Sequence, residues 1–68
     1  MTKVDLVAKK LDELSIGENF SKIEFVKLNW EKSDYFTQRS FDVAFCNAKK
    51  QFPARVFKCM GRLIVRIE

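Results

Sequence analysis

The sequence predicts an α+β fold, a small three-stranded antiparallel sheet with two helices in the order α-β-α-β-β, with a winged helix-turn-helix arrangement as the alternative. Three observations predict it. Val4, Val7, Ala8, Leu11 and Leu14 recur at helical spacing. From Phe41, the residues Ala44, Phe45, Ala48 and Phe52 line one side of a further helix. Finally, the alternating run on either side of Gly61 reads as a hairpin.

Size and composition bound the rest. With 68 residues the chain makes one domain, residues 1–68, near the size at which a single core is barely sufficient. Association into a homodimer is one way such a chain gains stability. Apolar residues make up 47% of it, including seven Phe, which is too hydrophobic for intrinsic disorder despite 32% charged residues.

The first helix is expected from about Thr2 to Leu14, with Thr2 as N-cap and Gly17 as terminator. From Glu18 to Trp30 the pattern changes to every second residue, with Ile23 and Phe25 on one parity and Val26, Leu28 and Trp30 on the other. A strand with a bulge, or one that re-enters as a loop, is expected there. Trp30 reads as a core or rim residue. Ser33 or Asp34 can cap the long helix, and a break at Ser40 would instead divide 33–51 into two short helices, the order of a winged helix-turn-helix domain. Pro53 ends the helix, since it lacks a backbone donor and its ring clashes one turn back.

Charge is distributed unevenly. Residues 1–48 hold seven basic and eight acidic side chains, whereas 49–68 hold Lys49, Lys50, Arg55, Lys58, Arg62 and Arg66 against Glu68 alone. A cationic end of this kind selects the partners a surface attracts. Lys49 and Lys50 also sit favourably at a helix C-terminus.

A Met60-Gly61 turn sets the expected hairpin register: Cys59 faces Arg62, Phe57 faces Ile64 and Arg55 faces Arg66, while Lys58, Val56 and Ala54 face Leu63, Val65 and Ile67. The second set makes a reasonable core face, so the first would display Arg55, Arg62 and Arg66 around Phe57 and Ile64. Guanidinium groups interleaved with an aromatic ring suit a nucleic acid, with charge for phosphates and the ring for a base or sugar. Three other readings compete. Phe57 and Ile64 can be a second core layer covered by arginine stems; the arginines can pair with Asp12, Glu13 or Glu24; or the charge can protect an edge strand from aggregation. On the helix, Arg39, Asn47 and Lys50 lie away from Phe41 and Phe45, together with Asp42, which counts against close approach to phosphate.

Several classes are disfavoured. Without histidine the commonest general base is missing, and no glycine-rich phosphate loop is present, so neither an enzyme nor a cofactor is expected. Cys46 and Cys59 match no metal motif and are expected as buried or half-buried free thiols. The longest uncharged run is the six residues 43–48, far short of a membrane span. Asp5, Lys9 and Lys10 stand where a signal peptide would be apolar, so a cytoplasmic location is expected.

Leu14-Ser15-Ile16-Gly17-Glu18-Asn19-Phe20, followed by a helix with Ala44 and Ala48-Lys49-Lys50 and by Leu63-Ile64-Val65-Arg66-Ile67, resembles short uncharacterised tailed-phage proteins. The resemblance implies a phage or mobile-element origin and no site residues. Two functions follow as expectations. The first is a nucleic-acid-binding module, for DNA before RNA, using Arg39, Lys49, Lys50, Arg55, Phe57, Lys58, Arg62 and Arg66. The second is a modulator of an acidic host protein, motivated by a surplus of Trp30, Tyr35, Phe36 and Phe57.

Overall fold

A computed structural model describes residues 2–29 and 36–68. Its elements are helix α1 (Lys3–Glu13), strand β1 (Asn19–Ser21), helices α2 (Lys22–Asn29) and α3 (Gln38–Ala48), a 3₁₀ turn (Lys49–Gln51), and strands β2 (Phe57–Met60) and β3 (Leu63–Arg66). The strands form one antiparallel sheet in the order β1-β3-β2. The fold is α+β, with the three-stranded antiparallel sheet the sequence predicts and one helix more than expected.

Helix α1 begins as expected. The Thr2 hydroxyl accepts from the Asp5 N–H at 3.1 Å, and the Asp5 carboxylate accepts from the Thr2 N–H, a reciprocal cap worth about 1 kcal/mol. Leu14, not Gly17, closes it. Gly17 takes a φ of 88° in the turn into β1, where its N–H donates to the Arg66 carbonyl.

The expected strand over Glu18–Trp30 is corrected: β1 stops at Ser21 and α2 follows at once. Ile23, Phe25, Val26 and Leu28 mimic a strand's alternation, but only Phe25 and Val26 among them are buried, and Leu28 is 77% exposed. The amide of Asn29 caps the helix's last turn internally, donating to the Phe25 carbonyl at 2.8 Å. Trp30, Ser33, Asp34 and Tyr35 lie outside the described residues. For α3 the cap is Thr37, whose hydroxyl accepts from the Ser40 N–H, rather than Ser40 itself.

The core is a stack of phenylalanines between the helices and one face of the sheet. Phe41 is fully buried, with ring centroids 5.6–6.3 Å from those of Phe20, Phe25, Phe36 and Phe45. Leu11 and Val7 of α1 and Ile64 of β3 close it with no exposed surface.

The hairpin departs from expectation twice. Phe57 pairs with Arg66, Lys58 with Val65, Cys59 with Ile64 and Met60 with Leu63, so Gly61 and Arg62 make the turn, Gly61 at a φ of 62°. The buried face is also the other one. Ile64 and Phe20 point into the core and Phe57 is half-buried against Phe45 and Phe52. Val56, Met60, Leu63 and Ile67 face outward, 39–56% exposed. Both faces of the hairpin are apolar, and aromatic volume decides between them: a Phe ring fills the gap beneath α3 that a Val would leave open.

Candidate nucleic-acid interface

The inverted hairpin rearranges the expected basic face. Arg55 folds back onto α1, its Nη1 3.3 Å from both Oδ1 and the backbone carbonyl of Asp12, with its guanidinium 5.0 Å from the centre of the Phe52 ring. Arg66 donates from Nη1 to the Leu14 carbonyl at 2.9 Å and from Nε to the Glu68 carbonyl at 3.1 Å. Arg66 in β3 and Arg55 just before β2 together tie the base of the hairpin to the end of α1. With Phe57 packed against the core, the expected arrangement of Arg55, Arg62 and Arg66 around an exposed ring is not formed. Of the alternatives weighed above, the core-layer and Asp12-pairing readings match the geometry.

The remaining candidates fall into two groups. Arg39 and Lys50 are exposed on α3 and the turn that continues it, and Val43, Cys46 and Asn47 lie exposed between them. At 100° per residue, positions 39, 43, 46 and 50 form one narrow stripe, roughly 16 Å long at the helical rise. Lys49 stands beside this stripe with its ammonium 5.5 Å from the Phe45 ring centre. Arg62, exposed in the hairpin turn, belongs with it through Lys22, whose N–H donates to the Arg62 carbonyl at 2.9 Å. Lys58 points the opposite way, from the outer face of the sheet.

Two residues that the sequence did not single out join the stripe. Lys3, at the start of α1, lines a cleft of about 410 Å³ with Arg39 and Val43. Only tertiary packing of α1 against α3 brings these cations together, so nothing in local sequence signals it. Lys22 is the other. Its ammonium lies 3.4 Å from Asp42 Oδ1 and 3.5 Å from Cys59 Sγ. Partial burial alone would lower its pKa, but the Asp42 carboxylate and Cys59 outweigh that and raise it above the ordinary lysine value. Asp42, the acidic group beside the stripe among the described residues, is therefore already engaged. Cys46 and Cys59 are both free and exposed, where burial was expected: Cys46 sits on the outer side of α3 and Cys59 on the edge strand β2.

Among the described residues no helix is long and apolar enough to cross a membrane. No protein family, no curated protein and no solved structure matches this chain.

Proposed function

We propose that the chain is a small DNA-binding module of winged helix-turn-helix type, with α3 as the helix that enters the major groove and the Gly61-Arg62 turn as the wing. The observation that carries this reading is the exposed stripe of Arg39, Val43, Cys46 and Lys50 along α3 and the 3₁₀ turn that continues it, with Asn47 at its flank and a hairpin turn bearing Arg62 beside it. The order helix, strand, helix, helix, hairpin, with β1 beside β3, supports it by analogy of fold.

Chemistry assigns the roles. Arg39 and Lys50, at either end of the stripe, suit phosphates or guanine edges; Asn47 suits adenine; and Val43, 61% exposed, suits a thymine methyl group. Lys3, Lys49 and Arg62 add sequence-independent attraction. Four or five neutralised phosphates weaken binding roughly 10²–10³-fold between about 50 and 200 mM salt. The phage or mobile-element origin implied by the resemblance is part of this proposal.

Fluorescence polarisation on a labelled random duplex tests it. Reversing Arg39, Lys50 and Arg62 to Glu is expected to abolish binding at low salt with the circular dichroism spectrum unchanged. Wild-type affinity in that folded variant would overturn the reading. A second reading, a protein-binding modulator, draws its support from the open face of the sheet and no longer from Phe36 and Phe57, which are buried and half-buried in the core.

A further inference from the structure

The helices cover one side of the sheet, and the other side has no layer over it among the described residues. Alternation along the strands sends Leu63, Val65 and Ile67 outward from β3 and its flank, and Val56, Lys58 and Met60 outward from β2 and its flank. Next to the β3 ridge, the outward positions of β1 and its approach are the small residues Gly17, Asn19 and Ser21. The face is thus an apolar ridge with a low shoulder on one side and a single ammonium, Lys58, on the other. No carboxylate occupies any of these positions; at the β1 edge Glu24 and Lys10 line a cleft with Asn19, Ser21 and Leu63, and their opposite charges leave Lys58 as the net charge of the face.

We infer that this face docks an acidic amphipathic helix of a partner protein. Two arguments select that occupant. Three strands spaced about 4.8 Å apart, with five residues rising about 3.3 Å each, give a footprint of roughly 14 by 17 Å. A helix about 10 Å across fits it, whereas a globular dimer of standard size needs about 800 Å² from each partner. The second argument is charge. A second copy pressed onto the same face brings no acid to Lys58 and leaves that ammonium desolvated without a counterion. A helix with apolar residues at i, i+3, i+4 and i+7 seats its stripe between the β3 ridge and the β1 shoulder, and acidic residues on its flank reach Lys58.

The experiment is selection from a displayed library of helical peptides of about 16 residues on the immobilised full chain, followed by amide chemical-shift mapping with the enriched peptide. Enriched sequences are expected to combine the helical apolar spacing with net negative charge and to shift residues 17–21 and 56–67. Leu63→Asn with Ile67→Asn, both exposed and so compatible with folding, is expected to weaken binding about tenfold or more. Lys58→Glu is expected to turn the selection toward basic peptides. The Arg39 and Lys50 reversals, both on the α3 side of the molecule, leave peptide binding intact, which separates this inference from the DNA-binding proposal. It is overturned if nothing is enriched, if enriched peptides carry no acidic bias, if the shifts map elsewhere, or if light scattering finds a dimer that Leu63→Asn dissolves.

Discussion

The ammonium of Lys22, the first residue of α2, lies 3.4 Å from the carboxylate of Asp42 in the middle of α3. The same lysine reaches Cys59 on β2 and binds the turn through its own backbone, so one side chain links α2, α3 and the hairpin. The Asp42 side of this pair is 64% exposed, and its worth to stability is about 0.2–1 kcal/mol. Its larger effect is on the potential beside α3.

Asp42→Asn removes a negative charge that lies beside the proposed groove-facing stripe. DNA affinity is expected to rise about threefold at low salt, with the gain shrinking as salt screens it. Lys22→Met is expected to lower affinity and to cost less than about 1 kcal/mol of stability in urea titration. An unchanged affinity in both variants would place DNA elsewhere.

Arg66 and Arg55 behave differently from Arg39 and Lys50. Arg66→Ala leaves the Leu14 carbonyl without its donor and is expected to cost about 1–2 kcal/mol in denaturant, while salt-corrected DNA affinity stays within about twofold of wild type. Arg39→Ala is expected to do the reverse, costing affinity and little stability. Urea midpoints and polarisation titrations on the alanine variants of Arg39, Lys50, Arg55 and Arg66 distinguish the two classes.

Phe41→Ala removes the ring around which four other rings pack. The expected cost of about 3–5 kcal/mol is comparable to the whole stability of a chain this size, about 3–10 kcal/mol. The variant is expected to lose its cooperative thermal transition. Retention of a sharp melt near the wild-type temperature would contradict the central place given to Phe41.

Stability should fall on acidification through Glu18. Its carboxylate accepts the Ser15 N–H at 2.6 Å, and that hydrogen bond holds its pKa below the ordinary value of 4.5. A carboxyl with a lowered folded pKa adds stability above the unfolded value, lost as pH drops through the folded one. Thermal melts from about pH 6 to pH 3 are expected to show a decline that is shallower in Glu18→Gln.

What the sequence disclosed follows from how local each signal is. Thr2 as N-cap and the aromatic spacing from Phe41 are each complete within one helix, so both helices are legible; the Asp5 half of the first cap comes only from the structure. The segment after Ser21 was misread because α2 buries Phe25, Val26 and Asn29 while leaving Leu28 in solvent, so its apolar residues outline no single face. The hairpin was located but turned inside out. Val56, Leu63, Val65 and Ile67 outnumber Phe57 and Ile64, and counting apolar residues cannot register that the space beneath α3 requires an aromatic ring. Arg39, Asn47 and Lys50 were legible from helical spacing alone, whereas Lys3 and Lys22 acquire their neighbours only through packing.

Strand β1 has a consequence for the order of folding. It pairs Asn19 with Val65 and Ser21 with Leu63, joining distant parts of the chain, and β2 enters the sheet only through β3. The entropy of closing that long loop must be met before the pairing returns any stability, so docking of β1 onto the hairpin is expected to be the late step of refolding.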